Sequence, residues 1–296
     1  MKKKIIIWGH PLHTHTHSYI HDAFYRAFLH MGHETYWVND VNDNPDIFEN
    51  ALVITEGQTD QDIPLVSSAQ YLLHNCNTQK YVNANIEFKI LQVYSHDCLA
   101  RDVEKIAECE YYQADQVTLY QPWATDLLPY QIDKMPTITG STSRDSSCNW
   151  VGSVMGGDEH SNVRQLSAFA EAAHNSGIGF NVCRNVSPED GVTLIQKSYL
   201  APAIQGTWQV ENGYIPCRIF KNISYGHLGL TNSKAVYDLL EGLVTYNSDC
   251  GNLFHDGVLG MSEISNAQRS ATLNLIREKH TYINRANNIL RVMESG

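Results

Sequence analysis

The feature that most constrains the fold of this chain is a repeated alternation of short apolar runs with amphipathic segments. Residues 5–8 form a β-type run, and residues 18–31 carry apolar side chains at helical spacing. Gly32 ends that segment, and residues 34–38 begin a second β-type run. Alternation of strand, helix and strand is typical of a doubly wound sheet with parallel strands. The chain is therefore predicted to be an α/β protein.

The alternation continues on both sides of a polar stretch in the middle of the chain. Further strands are predicted at residues 51–55, 70–73, 90–94 and 117–120, and then at 150–154, 179–183, 199–204 and 228–231. The polar stretch, KMPTITGSTSRDSS over residues 134–147, is aperiodic, as linkers are. A chain of 296 residues has room for two domains of about 100–200 residues each. We predict two Rossmann-like domains, residues 1–145 and 146–296.

Helices in the second half are predicted mainly from their ends. Ser187 followed by Pro188 is a helix start, with serine as the N-cap and proline at the first helical position. Residues 216–225 form a second predicted helix, which Gly226 ends. The tail, from about residue 262 to residue 293, is predicted to be helical because charged and apolar residues interleave there.

Charge and cysteine content limit the possible partners and the compartment. A net charge of -11 argues against a broad surface for nucleic acid or anionic membrane, although it leaves room for peripheral membrane contact. The apolar runs are too short to span a bilayer. The apolar run in the opening MKKKIIIWG is also too short for a signal peptide, so we expect a first strand. Seven scattered cysteines without a C-x-x-C pair fit reduced thiols in the cytoplasm.

Residues 211–233, ENGYIPCRIFKNISYGHLGLTNS, carry a possible phosphate site. Pro216 opens a predicted helix that bears Arg218 and Lys221. The N–H groups and the positive dipole end of a helix N-terminus suit a diphosphate, and two cations three residues apart lie on one helix face. An ordinary αβ unit with a solvated arginine and lysine remains the alternative from these residues alone.

The same residues resemble a known sequence signature. The segment Arg218-x-Phe220-Lys221-x-x-Ser224-Tyr225-Gly226, followed by Thr231-Asn232, resembles the R-x-F-E-x-x-A-x-G…T-N signature of group-1-like glycosyltransferases with the GT-B fold. Residues 280–285, HTYINR, are similar to the H-T-Y-x-x-R motif that closes the donor domain of that family. One departure is that Lys221 stands where the family has the glutamate that holds the donor ribose.

The resemblance implies two Rossmann-like domains facing across a cleft, with the final helix able to pack back on the first domain. The second domain would bind a UDP- or GDP-linked sugar donor, and the first would bind a glycan or a related hydroxyl acceptor, without nucleic acid and without a metal or other cofactor. The donor-binding residues expected from the resemblance and from positions at strand ends are Ser153, Gln205, Gly206, Gly213, Tyr214, Ile215, Pro216, Arg218 and Lys221.

Four histidines directly after the first strand, in WGHPLHTHTHSY, are candidates for acceptor chemistry. In a GT-B enzyme this loop faces the acceptor, and a histidine there can remove a proton from a hydroxyl. We expect His17, just before a helix start, to be this base, with His15 as the next choice. Glu56 or Asp97, each near the end of a predicted strand, would orient it. The assignment presumes inversion at the anomeric carbon.

Two other functions fit parts of the sequence. His13, His15 and His17 resemble the H-x-H motif that opens metal-dependent amidohydrolases, which are (β/α)₈ barrels whose metal ligands converge from several strand ends. A nucleotide-sugar epimerase of the same fold would use a nucleotide sugar without an acceptor. The glycosyltransferase hypothesis is the preferred one, because both the predicted domains and the motifs agree with it.

Overall fold

The computed structural model describes residues 2–40, 45–93, 113–114, 118–136, 138, 144–154 and 161–294. Within these ranges the chain divides into two compact units. The first unit contains the described residues up to Val93, those between 113 and 126, and those from Tyr282 onward. The second contains the described residues from Leu127 to Thr281. The described residues of the polar stretch at 134–147 therefore belong to the second unit.

The strands form one large sheet in the first unit and short parallel pairs in the second. The strands are β1 (Lys4–Trp8), β2 (Glu34–Val38), β3 (Ala51–Glu56), β4 (Gln70–His74), β5 (Phe88–Gln92), β6 (Gln113–Ala114), β7 (Thr118–Tyr120), β8 (Ser147–Val151), β9 (Gly179–Cys183), β10 (Leu230–Thr231) and β11 (Thr245–Tyr246).

The helices connect and cover these strands. They are α1 (Ser18–His30), α2 (Gln79–Asn83), α3 (Pro129–Ile132), α4 (Val163–Asn175), α5 (Pro188–Lys197), α6 (Thr207–Glu211), α7 (Cys217–Ser224), α8 (Lys234–Leu239), α9 (Cys250–Glu263), α10 (Asn266–Lys279) and α11 (Tyr282–Glu294), with a 3₁₀ turn at Pro45–Phe48. Within the described ranges, none of the helices combines the length and the apolar character that crossing a membrane requires.

The sheet of the first unit is open and almost entirely parallel. Its strand order is β2-β1-β3-β4-β5-β7-β6, and only the β6–β7 pair is antiparallel. The central strands β1 and β3 are continuous apolar runs that are buried along nearly their whole length, as expected for parallel strands covered on both faces. In the described part of the chain, β2 and β6 lie at the two ends of the strand order and do not pair with each other, so the sheet is open and is not a closed barrel. The amidohydrolase alternative requires a (β/α)₈ barrel, and this fold prediction is therefore wrong.

The last helix, α11, belongs to the first unit and packs on α1. The rings of Phe24 and Tyr282 meet edge to face with their centroids 4.7 Å apart. Arg285 is buried, and its guanidinium donates to the carbonyl oxygens of Pro122 at 2.7 Å and Trp123 at 3.0 Å. These bonds satisfy a charged side chain that would otherwise be costly to bury.

The second unit is a smaller α/β body built on two parallel strand pairs, β8–β9 and β10–β11. Among the described residues, the segment between them, predicted as a strand over 199–204, joins no strand ladder: Tyr199 N–H donates to Ser147 O, and Ala203 N–H donates to Leu230 O and forms an isolated bridge to Thr231. Pro202 interrupts this segment because proline has no N–H to donate to a ladder. The segment nevertheless has a buried centre.

Helix α9 (Cys250–Glu263) differs from the sequence expectation, which began the helical tail at about residue 262. Three glycines in α9 lower its intrinsic helix propensity, so its sequence does not signal a helix. One of them has a packing role: a Cβ on Gly257 would lie 2.8 Å from Cδ2 of Leu230. The glycine therefore permits α9 to lie close to β10. The rest of the predicted tail is two helices, α10 and α11, separated at residues 280–281.

Candidate functional site

The strand order of the first unit gathers polar side chains at the carboxyl ends of three neighbouring strands. The loop after β1 begins at Gly9, Glu56 ends β3, and His74 ends β4. The register pairs Trp8 with Thr55 and Glu56 with His74. The chain leaves β1 toward β2 on one side and continues at β3 on the other, and such a switch point is where open α/β sheets bind ligands.

Six side chains at this edge form what we call the histidine cluster. Its members are His10, His15, His17, His21, Glu56 and His74. The Glu56 carboxylate is buried, with 3% of its surface exposed. It accepts a hydrogen bond from Nε2 of His10 at 2.9 Å through Oε1, and its Oε2 lies 3.9 Å from Nδ1 of His17. Oε2 also accepts the N–H of Gln58 at 3.2 Å.

The imidazole rings of the cluster lie against one another. The ring centroids of His10 and His15 are 4.1 Å apart, and those of His15 and His17 are 5.4 Å apart, in stacked pairs. His74 meets the His17 ring edge to face at 5.6 Å, and Trp123 lies 5.1 Å from the His74 ring. The cluster is therefore a continuous group of rings around one carboxylate.

Burial and mutual repulsion lower the pKa of four histidines of the cluster. Burial, followed by the neighbouring His74, lowers the pKa of His17 to about 4. Burial, followed by His17 and then His10, lowers the pKa of His21 to about 3. Burial also lowers the pKa of His15 and of His74. Like charges in one low-dielectric site oppose ionisation, so at neutral pH these four rings are neutral.

The structure brings together the three residues expected to act on the acceptor, His17, His15 and Glu56. It does not bring His13 to them: that residue has a positive φ of 68° and shares a hydrogen bond with the Tyr19 hydroxyl at 3.1 Å. Of the two H-x-H pairs of the amidohydrolase alternative, His13 with His15 is therefore not assembled, whereas His15 and His17 lie together, with their ring centroids 5.4 Å apart. Asp97, the other expected carboxylate, lies outside the described residues.

Sequence reasoning did not single out three members of the cluster, although His10 was one of the four candidate histidines after the first strand. His10 makes the shortest contact with Glu56, yet nothing in the sequence distinguishes it from the rest of its loop. His21 lies four residues after His17 and so shares its helix face, a spacing that is visible in the sequence. His74 follows a predicted strand, but its proximity depends on the pairing of β3 with β4. Gly9 leaves the space that the His21 ring occupies, since a Cβ at position 9 would collide with that ring.

Part of the cluster has the composition of a metal site. Ligand atoms of His10, His15 and Glu56 lie within 4.8 Å of one another. Two imidazole nitrogens and a carboxylate oxygen are a donor set that suits borderline divalent ions.

In the second unit, the candidate donor site centres on Arg218 in the first turn of α7. Its guanidinium carbon lies 3.7 Å from the centre of the Trp150 ring, and its Nε donates to Val151 O at 3.1 Å. Gly152 follows β8 with a φ of 134°, and a Cβ there would collide with Nη2 of Arg218. We call these four residues the arginine site.

Arg218 is half-buried and has no carboxylate partner among the described residues. Burial lowers the pKa of its guanidinium, against the opposite influence of Cys217 and Tyr214, but arginine remains charged at neutral pH. Stacking on Trp150 and the bond to Val151 fix the guanidinium plane. A fixed cation without an anion is suited to bind a phosphate through its remaining N–H groups.

A second group of predicted donor residues is held around Gln205, which is buried. Its backbone N–H donates to Asn232 Oδ1 at 2.9 Å, and Asn232 Nδ2 donates back to Gln205 O at 2.9 Å. Its side-chain amide donates to Tyr214 O, while its Oε1 is buried without a hydrogen-bond partner in the described part of the chain. Gly213, with a φ of 62°, turns the chain before Tyr214.

The remaining predicted residues are placed as follows. Gly206 is the N-cap of α6, and Pro216 is the N-cap of α7. Ile215 is buried in the core. Ser153 is exposed, and its carbonyl accepts from Trp150 Nε1 at 3.1 Å. Lys221 is half-buried, and its Nζ lies 5.9 Å from the centre of the Tyr225 ring. Trp150 and Gly152, which position Arg218, are not among the residues that the sequence predicts.

Solved structures match this fold over its whole length. T4 phage BGT in complex with its UDP-glucose substrate matches with a TM-score of 0.52 at 12% identity, covering 100% of this chain and 98% of that chain. The DNA-modifying enzyme β-glucosyltransferase, solved in the presence and absence of uridine diphosphoglucose, matches with a TM-score of 0.52 at 11% identity over the same shares. T4 phage BGT with UDP and Mn²⁺ matches with a TM-score of 0.50 at 10% identity, again over 100% and 98%.

These similarities define the class of fold. The structural neighbours are GT-B glycosyltransferases that were solved with UDP-glucose or UDP, and the chain has the GT-B fold that its motifs implied. No protein-family model and no curated protein sequence matches it. At 10–12% identity the likeness concerns the fold, and the activity has to be argued from the site.

Proposed function

We propose that the protein is a glycosyltransferase that moves a sugar from a UDP- or GDP-linked donor to a hydroxyl group. The observation that carries the proposal is the arginine site. In a chain with the GT-B fold, Arg218 is fixed against Trp150 and Val151 and has no carboxylate partner among the described residues. A sugar nucleotide leaves a diphosphate behind on transfer, and a preorganised cation stabilises the charge that develops there.

Other residues of the second unit support the same ligand. The Oε1 of Gln205 is buried without a hydrogen-bond partner in the described part of the chain, and Gln205 is the residue proposed to contact the nucleobase or the ribose. Of the N–H groups at residues 214–216, that of Ile215 would add a phosphate contact, because Tyr214 N–H donates to Gln209 O at 2.9 Å and Pro216 has no N–H. Lys221 and Ser153 lie on the chain segments that lead into or out of the arginine site, where they would add further phosphate contacts. Gly206, Gly213 and Ile215 shape the turn that leads into α7.

On the first unit, we propose that His17 accepts the proton of the attacking hydroxyl and that Glu56 orients it. His17 Nδ1 is buried without a hydrogen-bond partner in the described part of the chain. It faces Glu56 Oε2 at 3.9 Å, and such catalytic bonds are often long before substrate binds. His15 supports the loop through its Nδ1, which accepts the N–H of His17 at 3.2 Å.

We propose a glycan or a related hydroxyl compound as acceptor. The chain carries a net charge of -11, which disfavours a broad surface for phosphate backbones. One structural neighbour is described as a DNA-modifying enzyme, so DNA is the acceptor to test against.

Leaving-group charge is stabilised by Arg218 in this proposal, so transfer needs no metal. One neighbour was solved with UDP and Mn²⁺, which makes Mn²⁺ the ion to test.

The test begins with thermal unfolding of chelator-treated protein against UDP, GDP and their sugars. A ligand that binds only the folded state at a hundredfold excess over its Kd stabilises it by about 2.7 kcal/mol. Arg218→Ala should abolish the shift, whereas Arg164→Ala, which removes an exposed arginine of the same unit, should keep it. If none of the nucleotides binds the unmodified protein, the proposal is overturned.

Transfer is then measured with a labelled donor. Label that appears in an oligosaccharide supports the proposed acceptor, and label that appears in DNA replaces it. An epimerised donor without any acceptor product supports the epimerase alternative. Activity that requires added Mn²⁺ contradicts the metal independence proposed for the donor site.

A further inference from the structure

The Glu56 carboxylate has an unusual electrostatic environment. It is buried, with 3% of its surface exposed, and no lysine or arginine pairs with it among the described residues. The ion-pair candidates within reach are the imidazoles of His10 and His17. A buried carboxylate without a counter-charge is strongly unfavourable.

Several imidazole rings crowd this one carboxylate. The stacked rings of His10 and His15, with centroids 4.1 Å apart, illustrate the crowding. A single divalent ion would place a positive charge at the centre of the group and would use the imidazole nitrogens as ligands.

We infer that His10, His15 and Glu56 bind one divalent transition-metal ion of the Zn²⁺ class. The two imidazoles and the carboxylate offer ligand atoms within 4.8 Å of one another. Tetrahedral ligands around an ion at 2.0–2.2 Å lie about 3.3–3.6 Å apart. Bringing the three ligand atoms to this spacing therefore needs a movement of about 1–2 Å. The half-exposed side chains of His10 and His15, in the loop after β1, would make this movement.

The three ligands come from two elements that the fold already holds together. Glu56 is the last residue of β3, and β3 pairs with β1, whose following loop carries both histidines. Binding costs two contacts. The ion replaces the 2.9 Å hydrogen bond between His10 Nε2 and Glu56 Oε1, and either nitrogen of His15 that takes the ion disturbs the 3.2 Å bond from His17 N–H to its Nδ1. The gain is the counter-charge for Glu56.

The donor set also determines which ion is preferred. Imidazole nitrogens favour Zn²⁺, Co²⁺, Ni²⁺ or Cu²⁺, whereas Mg²⁺ and Ca²⁺ prefer oxygen ligands. Three protein ligands leave one coordination position open, the arrangement of sites that take up a water or a substrate atom. This site is separate from the leaving-group chemistry proposed for Arg218 and does not depend on the proposed sugar transfer.

The test is Zn²⁺ titration of the full chain, prepared with chelator and without a polyhistidine tag, in the absence of any nucleotide. We expect one Zn²⁺ to bind per chain and Mg²⁺ at the same concentration to have no effect. Co²⁺ should bind in its place and give the visible absorption of a four-coordinate ion. An unmodified protein that binds no Zn²⁺ overturns the proposal.

Variants locate the ion. His10→Ala, His15→Ala and Glu56→Gln should each weaken Zn²⁺ binding at least tenfold, while His13→Asn should not, because His13 lies in the same loop but outside the ligand set. His15 is half-exposed, so its variant keeps the fold even where a change at the buried Glu56 does not. Affinities that stay equal in all four variants place the ion elsewhere and overturn the proposal. Because no sugar nucleotide is present, failure of the proposed transferase function leaves this result unaffected.

Discussion

The histidine cluster and the arginine site show opposite ways of preparing a polar group in an α/β unit. In the first unit an anion, Glu56, is buried among rings whose pKa values are lowered. In the second unit a cation, Arg218, is fixed by an aromatic face and a carbonyl oxygen instead of a carboxylate. The first arrangement is suited to protons and metal ions, and the second to an anion that arrives with the substrate.

The largest expected effect comes from removing the cation. Arg218→Ala should lower kcat/KM about 1000-fold, at the upper end of the range for a lost transition-state donor. Arg218→Lys should recover only part of it, because lysine keeps the charge but loses the planar fork that stacks on Trp150. Steady-state kinetics of both variants check this. Equal rates for Arg218→Ala and Arg164→Ala would show that Arg218 does not contact the diphosphate.

The next largest effect is expected at His227, a buried histidine of the second unit that can be compared with the buried histidines of the cluster. His227 Nε2 donates to Ser198 O at 3.1 Å, and its Nδ1 accepts Leu228 N–H at 2.8 Å. Both nitrogens are thus satisfied in the neutral form, and burial lowers the pKa of His227 to about 4. The unfolded chain takes up a proton below about pH 6.5, where the folded protein does not.

The contribution of His227 to the free energy of unfolding should therefore be fully present above pH 6.5 and should be lost as the pH decreases from about 6.5 to about 4. The contribution of His227 to this loss is on the order of 3 kcal/mol. His227→Gln should flatten this part of the pH profile, measured by denaturant unfolding of the two proteins, while His255→Gln, at an exposed position, should leave it unchanged. A profile that keeps the same slope in His227→Gln contradicts the assignment.

His17→Ala tests the cluster side of the comparison. We expect kcat to fall about 100-fold, at the lower end for a general base, because Nδ1 and Glu56 Oε2 are 3.9 Å apart before substrate binds. The Kd for UDP should stay the same, since the donor contacts lie in the second unit. His13→Asn is the control in the same loop. An unchanged kcat in His17→Ala removes the residue from the mechanism.

The smallest effect is expected from a variant that displaces the Arg218 guanidinium without removing it. Gly152→Ala places a Cβ against Nη2 of Arg218 at a φ of 134°, so it should cost about 1–3 kcal/mol of stability and weaken nucleotide binding. Thermal unfolding with and without UDP measures both losses. Gly177→Ala is the matched control, because Gly177 also has a positive φ, of 75°, but a Cβ added there would have no atom of the described residues within 4 Å. Equal nucleotide affinity in the two variants would show that Gly152 does not position Arg218.

Local sequence signals predicted many elements of the structure. Strand β2 has the predicted bounds of residues 34–38, and Ser187 caps α5 by accepting the N–H of Asp190 at 3.0 Å. Gly226 ends α7 with a φ of 96°, and a Cβ there would collide with Pro136 O. These features depend on side-chain pattern, capping and backbone preference within a few residues, which is information that a single sequence contains.

Elements that depend on distant packing were not predictable in the same way. Helix α9 contains glycines that weaken a helix locally, and they are accommodated because the close approach of Leu230 to Gly257 compensates for the lost propensity. The segment 199–204, predicted as a strand, makes isolated backbone contacts with its neighbours instead of a strand ladder in the described part of the chain. In each case a neighbouring element outweighs the local preference of the sequence.

The sequence by itself determined the α/β class, because strand and helix periods are local patterns, and its resemblance to the R-x-F-E…H-T-Y-x-x-R motifs implied the GT-B fold that the solved structures support. It also predicted the histidines after β1 and Arg218 on α7 as site residues. Tertiary structure alone decided which of them meet. The pairing of β1 with β3 and of β3 with β4 brings His10 and His17 to Glu56, and the fold of the second unit stacks Arg218 on Trp150, because strand register and long-range packing join residues that are far apart along the chain.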